Sequence, residues 1–483
     1  MLHLSEKPHF IYTCLMLLAW VSQYVSLSTG FELNHSLTYI WPLPHELTSG
    51  NETLTVNPTL SLSLIGKGGN FKILREGFRR YKRIIFKQSS GVSIFKNLRR
   101  IRSIYDISQM RIIVNSDSDE LKLGVDESYT LFITKTKGKS IAWEAIIEVN
   151  TIYGALRGLE NVLHWHIIDE QSFPLEIPKY PKLWNGAYTK WERYTVEDAS
   201  KIVRFAKTRG IHVMAEVDVP GHAESWGIGY PDLWPSTSCR EPLDVTKNFT
   251  FDLISGIFSD IRKIFPFELF HLGGDEVNIG CWNNTPHVKQ WLKDNNMKPK
   301  DAYKYFVLKA QEIAISKNWT PVNWEETFHA FAGSLNPQTV VHNWLGPGVC
   351  PKAVAKGFKC IFSNSGVWYL DHLDVTWEQI YNAEPLEGID NESKQKLVLG
   401  GEVCMWGETV DTSNVQQTIW PRAAAAAERL WSTKTALSAG TDTVLHRLHY
   451  FRCLLQRRGV QAAPVTNYYA RQPPVGPDSC YWQ

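Results

Sequence analysis

The residues best suited to chemistry are two adjacent carboxylates, Asp275 and Glu276, at the end of the stretch FELFHLGGDE. The apolar start of this stretch predicts a mostly buried strand. Gly273 and Gly274 then remove side chains, which allows another group to approach the backbone closely where the strand ends. Because adjacent carboxylates repel each other, we expect one acid to hold a proton beside an ionised partner. That arrangement is typical of general acid catalysis.

A parallel sheet is predicted to carry this pair. From Asn161 onward short apolar runs alternate with helical segments, which is typical of βα units. The predicted strands are Asn161–Ile168, Ile211–Asp218, Phe267–Leu272, Thr320–Trp324, Thr339–Leu345, Phe358–Ser363 and Leu397–Glu402. Polar and aromatic residues collect at or after their ends: Asp169, Glu170, Asp218, His222, Asp275, Glu276, Trp324, Glu325, Glu326, Trp344, Tyr369, Asp371, Trp406 and Glu408. An α/β barrel builds its site at this end of its strands.

Length and composition describe an ordinary globular chain. Its 483 residues are 43% hydrophobic and 21% charged, enough for a large catalytic domain and a smaller companion. A net charge of +2 gives no reason to expect nucleic acid or an anionic membrane as partner. The predicted domains are a signal peptide at 1–30, an α+β domain at 31–160, and a catalytic barrel domain at 161–483.

Several features agree with a secretory route. Residues 1–30 have the apolar core and small following residues of a cleavable leader, and no later segment predicts a membrane span. Six N-x-S/T triplets are candidate glycosylation acceptors, at Asn34, Asn51, Asn248, Asn283, Asn318 and Asn391. Without the leader the chain keeps seven cysteines, so that at least one thiol is unpaired in an oxidising compartment.

Six motifs, in order, resemble one known family: LHWHIID, DVPGHAESW, HLGGDE, NWEE, WYLD and CMWGE. They are similar to those of the family 20 β-N-acetylhexosaminidases, and most of all to the plant enzymes, from about Ile40 to Cys480. HLGGDEV followed by Cys-Trp is the most specific part of the likeness. The resemblance implies a (β/α)8 TIM barrel, preceded by a smaller α+β domain.

The resemblance also implies a mechanism. Such enzymes release terminal β-linked GlcNAc or GalNAc with retention of configuration. The substrate's own 2-acetamido oxygen attacks the anomeric carbon and forms an oxazolinium intermediate, without a protein nucleophile. Glu276 is then the general acid and base, and Asp275 orients the acetamide group. Asp169 and His222 match the groups that support the acid.

Other matched positions imply how the sugar is bound. Trp324, Trp344 and Trp406 match the aromatic walls, and Tyr369 matches the hydroxyl that bonds the acetamide oxygen. Asp371 and Glu408 match acceptors for sugar hydroxyls. Disulfides are implied at Cys239–Cys281 and Cys453–Cys480. The expected substrate is an N-glycan or chito-oligosaccharide, without a metal or other cofactor. A vacuolar, lysosomal or extracellular location is implied, and a homodimer is a possible assembly.

The chain departs from the family at one place. A barrel needs eight strands, and the sequence predicts seven. Glu160 runs directly into Asn161, with no room for the roughly 30 residues of a βα unit. In the family that unit carries a substrate-clamping Arg; Arg157 looks similar but belongs to the small domain's last helix. We therefore expect a shortened chain with weak or no activity.

Two alternative functions remain open at this point. The first is a sugar-binding protein that keeps the aromatic walls but does not turn substrate over. The second is a metal-dependent barrel hydrolase using His164, His166, His222 and Asp275, since two His at i and i+2 share one strand face. The tryptophans at the strand ends favour a sugar over a metal.

Overall fold

The structure of the protein is a computed structural model that describes residues 39–50, 54–67, 71–86, 105–133, 144–156, 161–432, 437 and 441–466. The predicted leader, Asn34, Asn51, Arg157 and Cys480 lie outside these residues. The chain divides into two compact units. We call residues 52–369 and 383–404 the barrel unit, and residues 1–51, 370–382 and 405–483 the C-terminal unit.

The barrel unit begins with a small α+β fold, as predicted. Its four-stranded sheet has the order β1-β2-β4-β3, in which only β3 is antiparallel to its neighbour. The strands are β1 (Val56–Gly66), β2 (Ile107–Val114), β3 (Tyr129–Ile133) and β4 (Glu144–Val149). Two helices, α1 (Phe71–Ile85) and α2 (Ile152–Leu156), pack on this sheet through a core that includes Leu74, Val114 and Tyr153.

Seven parallel strands form the second sheet, which confirms the predicted barrel with one strand short. They are β5 (Asn161–Ile168), β6 (Ile211–Val217), β7 (Leu269–His271), β8 (Thr320–Trp324), β9 (Val340–His342), β10 (Lys359–Phe362) and β11 (Val398–Gly401). Their spatial order is their chain order, from β5 to β11. Each neighbouring pair is parallel, as βα units require.

Helices alternate with these strands. They are α3 (Val196–Lys207), α4 (Trp226–Gly229), α5 (Asn248–Ile261), α6 (Ile279–Asn284), α7 (Pro286–Asp294), α8 (Pro299–Ser316), α9 (Glu325–Phe331), α10 (Val349–Ala355) and α11 (Ser365–Trp368), then α12 (Trp377–Asn382), α13 (Glu392–Gln395), α14 (Val415–Ile419), α15 (Arg422–Trp431) and α16 (Thr441–Arg457). A capping box begins α3: the Thr195 side chain accepts from Asp198 N, and Asp198 accepts from Thr195 N.

The sheet does not close through backbone pairing. Among the described residues, the outer edges of β5 and β11 pair with no strand, and we call the gap between them the seam. Val162 and Leu163, near the start of β5, are 42% and 46% exposed. A side-chain contact does cross the seam, because His164 Nδ1 on β5 lies 2.8 Å from Glu402 Oε1, directly after β11.

The C-terminal unit has its own buried contacts. The Trp41 indole N–H donates to the Ala424 carbonyl at 2.9 Å, and the Arg447 guanidinium lies over the Trp41 ring. Arg447 also forms a fully buried ion pair with Glu428. Helices α12, α14, α15 and α16 belong to this unit.

The cysteines agree in part with the implied pairs. Cys239 and Cys281 form a disulfide, and Cys453 is disulfide-bonded, although its implied partner lies outside the described residues. A further disulfide, Cys350–Cys360, was not predicted. Cys404 is a buried free thiol, as the odd count requires.

Candidate active site

The turn after β7 places the two adjacent carboxylates. Gly273 and Gly274 have φ values of 61° and 94°, which favour glycine. A Cβ atom on Gly273 would lie 1.9 Å from the Asp218 carboxyl group, so that only glycine allows this close approach. Glu276 has a φ of 49°, a left-handed conformation that non-glycine residues seldom adopt. The predicted close approach at the two glycines is therefore confirmed, and the turn holds Glu276 in a strained conformation.

The two carboxylates differ in exposure. The Asp275 side chain is 13% exposed, whereas that of Glu276 is 61% exposed. Asp275 faces Asp218 at the end of β6, where burial and then the charge of Asp275 raise the pKa of Asp218 well above its usual value. Contact with Asp275 adds to this rise in the pKa of Asp218, while Gly274 N donates to Asp218 Oδ1 at 2.8 Å. Asp218 is thus a buried neighbour of Asp275 that favours its own neutral form.

His222 connects the pair to Asp169. Its Nδ1 lies 3.1 Å from Asp169 Oδ1, and its Nε2 lies 3.5 Å from both Asp275 Oδ2 and Glu276 Oε2. Burial would lower the pKa of His222, but the hydrogen bond with Asp169 and the charge of Asp275 raise it to about 9. His222 also has a positive φ, 51°. The structure therefore brings together all four residues that the resemblance assigned to catalysis.

Asp169 is held by two histidines. His166 Nε2 contacts Asp169 Oδ2 at 2.9 Å, and Glu170 N donates to Asp169 Oδ1 at 2.7 Å. Burial would raise the pKa of Asp169, but the bonds from His166 and His222 outweigh it and hold the pKa well below its usual value. Asp169 is therefore ionised at neutral pH.

A charged cluster fills the barrel interior below these groups. Glu216 on β6 is fully buried and contacts His164 Nε2 at 3.0 Å, His166 Nδ1 at 2.7 Å and His271 Nδ1 at 2.7 Å. Burial would lower the pKa of His164, but the charges of Glu402 and Glu216 raise it to about 10. Burial would likewise raise the pKa of Glu402, but the charges of His164 and His342 instead lower it to about 2. The sequence predicted a role for His164 and His166 only as possible metal ligands, and it gave Glu216, His271 and Glu402 none.

Three aromatic residues lie beside the acids in the same unit. Trp324 is buried at the end of β8, and its indole N–H donates to Glu216 Oε1 at 2.9 Å. The Trp344 ring centroid lies 6.5 Å from that of Trp324, with the planes at 70°, and 6.4 Å from that of Tyr369, with the planes at 14°. Trp344 is half-buried, so that part of its surface is open to a ligand.

Two glutamates hold Trp344. Glu325 Oε2 accepts from Trp344 N at 2.8 Å, and Glu326 Oε2 accepts from Trp344 Nε1 at 2.9 Å. Burial and the charge of Asp275 raise the pKa of Glu326 to about 7. Both glutamates and Asp218 were predicted to lie at strand ends, without a role. Their closeness in sequence to matched site residues could have predicted that they support the site.

The remaining matched residues belong to the C-terminal unit. Asp371 follows α11, and its side chain is 12% exposed. Trp406 is half-buried and Glu408 is exposed, both after β11. Thr409 Oγ1 donates to the Asp371 carbonyl at 3.3 Å, which ties the two segments together.

The histidines proposed for a metal hydrolase do not share one position. Both ring nitrogens of His164 and of His166 lie within 3.0 Å of carboxylate oxygens. Within the described part of the chain, His222 and Asp275 group with Asp218, and not with these two histidines. A metal would have to displace ion pairs from either histidine, and the four residues do not form the predicted ligand set.

The described surface agrees with the earlier sequence features. Asn248, Asn283, Asn318 and Asn391 are exposed. Among the helices described, none is long and apolar enough to cross a membrane.

Comparison with known families matches both parts of the chain. The model described as "Glycosyl hydrolase family 20, catalytic domain" matches residues 158–434. That described as "beta-acetyl hexosaminidase like" matches residues 40–162. "Beta-hexosaminidase 1" of Arabidopsis thaliana is 61% identical over 523 aligned positions, covering 95% of this chain and 96% of the relative. "Beta-hexosaminidase subunit beta" of Homo sapiens is 30% identical, covering 88% of each chain.

Solved structures share the fold. A chitobiase of Flavobacterium johnsoniae has a TM-score of 0.76 at 23% identity, covering 90% of this chain and 74% of that one. An exo-β-N-acetylglucosaminidase of Vibrio harveyi, solved with N-acetylglucosamine, has a TM-score of 0.73 at 18% identity, covering 89% and 79%.

The alignment with the Arabidopsis relative also includes positions to which this chain contributes no residue. The covered 95% of 483 residues is 459 residues, whereas the alignment has 523 positions. The difference, 523 minus 459, leaves 64 positions of the relative without a counterpart here. A loss of this size exceeds the roughly 30 residues of one βα unit.

Proposed function

Because the chain belongs to glycosyl hydrolase family 20, a family of glycosidases, we propose that its site acts on terminal, non-reducing β-linked N-acetylhexosamine, GlcNAc or GalNAc. The substrates are N-glycans or chito-oligosaccharides. One observation carries the proposal: a half-buried Asp275 and an exposed Glu276 stand side by side, with His222 Nε2 3.5 Å from both. Two neighbouring acids in such different surroundings suit two different tasks.

In the first step the substrate supplies its own nucleophile. The acetamide carbonyl oxygen attacks the anomeric carbon, and the glycosidic C–O bond breaks. Glu276, which is exposed toward solvent, gives its proton to the leaving oxygen. Asp275 accepts the acetamide N–H and stabilises the positive charge of the oxazolinium ring. Asp218 supports the orientation of Asp275 from behind.

The second step reverses the proton transfer. A water molecule attacks the anomeric carbon, and the Glu276 carboxylate takes its proton. The oxazolinium ring opens, which regenerates the acetamide and leaves the product in the β configuration. His222, held protonated by Asp169, stabilises the Glu276 carboxylate between the two steps.

Aromatic and polar groups complete the proposed binding site. Trp324 and Trp344 form walls around the acetamide, and the Tyr369 hydroxyl bonds its oxygen. For Trp406, Asp371 and Glu408 the proposed roles rest on the resemblance alone: an aromatic face for a sugar ring, and two acceptors for sugar hydroxyls. Both carboxylates suit this role, because a neutral sugar presents several O–H donors.

A second candidate function follows from the seam. The unpaired edges of β5 and β11 leave the barrel without its eighth strand, so the site keeps its acids but loses a closed support. On this basis the chain is a shortened form that binds the sugar with weak or no turnover. We place the missing unit between Glu160 and Asn161, since β5 begins there.

The cellular setting is also part of the proposal. The apolar leader directs the chain into the secretory pathway, toward the vacuole, the lysosome or the extracellular space. Exposure of Asn248, Asn283, Asn318 and Asn391 supports their glycosylation. A homodimer remains the proposed assembly.

Proton NMR of the reaction mixture tests the mechanism. An aryl β-GlcNAc substrate should give the β anomer as the first product, whereas an aryl β-glucoside, which lacks the acetamide nucleophile, should not react. Release of the α anomer first, or equal rates with both substrates, would contradict substrate assistance. Tight binding of a GlcNAc-thiazoline, a mimic of the oxazolinium ring, without any product would favour the sugar-binding candidate.

A further inference from the structure

Trp344 is held at two points by two consecutive glutamates. Glu325, 1% exposed, accepts from the Trp344 backbone N–H at 2.8 Å and from Asn343 Nδ2 at 2.6 Å. Glu326 accepts from the Trp344 indole N–H at 2.9 Å. The bond from Glu325 fixes the position of the Trp344 backbone, and the bond from Glu326 fixes the orientation of its ring.

The two aromatic neighbours of the ring lie toward the wide end of the range for aromatic pairs. Its neighbours Trp324 and Tyr369 lie at centroid separations of 6.5 and 6.4 Å, wider than the tightest aromatic packing, which begins near 4.5 Å. The residue after Trp344 is largely in solvent, since Leu345 is 51% exposed. A Trp side chain turns about two bonds, so a polar anchor at the indole nitrogen selects one orientation.

Glu326 contacts Trp344 and is close enough to Asp275 for their charges to interact. The charge of Asp275 is, after burial, the main cause that raises the pKa of Glu326 to about 7. After burial, the same charge also raises the pKa of Asp218. Glu326 therefore borders the proposed acetamide pocket, although the acid and base of the reaction are other residues.

We propose that Glu326 is a positioning residue of the acetamide pocket, where its carboxyl group anchors the Trp344 indole and thereby sets the size of the acyl group that the pocket accepts. This inference rests on the proposed function, since it assumes that Trp344 forms a wall of that pocket. Misplacement of a wall by about 1 Å is enough to weaken an oriented complex strongly.

Calorimetric binding of two thiazolines to the full chain tests the role. One derives from GlcNAc and carries a methyl group on the ring, and its homologue carries an ethyl group. A shaped pocket separates ligands that differ by one methylene by roughly tenfold or more. In Glu326→Ala, we expect affinity for the methyl compound to fall at least about tenfold, and the methyl-to-ethyl preference to fall below about threefold.

Three variants control for other causes. Glu326→Gln keeps an acceptor oxygen for the indole N–H and should bind both compounds within about threefold of wild type. Trp344→Phe removes the donor, so adding Glu326→Ala to it should change affinity little. Glu392→Ala removes an exposed glutamate from the first turn of α13 and should have no effect.

The indole proton gives a readout that does not depend on the ligand. With ¹⁵N-labelled tryptophan, the Trp344 indole signal is the one lost in Trp344→Phe. It should keep its position in Glu326→Gln and move in Glu326→Ala. Wild-type selectivity and an unmoved indole signal in a folded Glu326→Ala would overturn the positioning role. Failure of the wild type to bind either thiazoline would instead reject the proposed function, and the positioning role with it.

Discussion

The catalytic end of the barrel and the seam differ in how complete they are in a sheet of seven strands. At the catalytic end, Asp275, Glu276, His222 and Asp169 form one connected set of contacts. At the seam, β5 and β11 have no further strand beside them in the described parts of the chain, and a His164–Glu402 ion pair crosses between them. Local turns are therefore enough to build the catalytic set, whereas backbone closure of the sheet would need a further strand between β5 and β11.

This difference separates two properties of an enzyme. The geometry of the acids depends on residues close to them, such as the glycine turn after β7 and the buried acid Asp218. Support and substrate clamping depend on the complete barrel. A chain can thus keep the arrangement of its catalytic residues and still turn substrate over slowly.

Removal of the general acid should give the largest effect. We use this chain with the segment of the Arabidopsis relative restored at the seam, and expect Glu276→Gln to lower turnover of a substrate with a poor leaving group by roughly 10²–10⁴-fold. A substrate whose phenol leaves without needing a proton should lose far less of the rate of its first step. The check is kcat/KM across a series of aryl leaving groups, and an equal loss throughout would argue against the acid role.

The seam ion pair should matter next, and for stability instead of rate. Glu402→Gln leaves the buried His164 imidazolium without one of its two carboxylates, at a cost of about 3–5 kcal/mol in the free energy of unfolding. Urea denaturation followed by tryptophan fluorescence measures the change. Glu392→Gln, an exposed glutamate, is the control and should stay within about 0.5 kcal/mol.

Restoring the segment should sharpen that result. When β5 and β11 gain backbone partners, closure of the sheet depends less on the His164–Glu402 pair. Glu402→Gln should then lower the free energy of unfolding by less. An equal cost with and without the segment would show that the ion pair has no special role in closure.

The smallest expected effect is the pH dependence of stability. The pKa of His164 is raised to about 10 and that of His222 to about 9, against roughly 6.5 in an unfolded chain. Their ion pairs therefore contribute fully below about pH 6.5, and the contribution is lost as pH rises through 9 and 10. The melting temperature should decline over that range, and less steeply in Glu402→Gln. A wild-type melting temperature that rises from pH 7 to 10 would contradict this account.

The sequence predicted the barrel strands well, for reasons of pattern, and the catalytic residues stay a prediction that the fold brings together. Strands β5 and β8 match their predicted bounds, because apolar runs bounded by polar residues leave few other readings. Helix α1 was missed, since its many basic residues conceal a short apolar stripe that includes Ile73 and Leu74.

The buried charges were beyond such reasoning. Glu216 is the last residue but one of β6, and His271 is the last residue of β7. The sequence pattern alone does not show that polar side chains from several strands meet, as these two do. The raised pKa of Asp218 and of Glu326 likewise depends on their distance from Asp275, which only the fold sets. Long-range electrostatic partners are the part of a site that spacing does not encode.

The most direct test compares turnover of one aryl β-GlcNAc substrate by two proteins: the chain itself, and the chain with the relative's segment inserted between Glu160 and Asn161. Both should fold and carry the same Asp275–Glu276 pair. The account predicts that the restored protein turns the substrate over at least about tenfold faster, since it regains closure and a charged sugar contact that contributes roughly 1.5–3 kcal/mol. Equal turnover by the two proteins would show that the seam does not limit the enzyme.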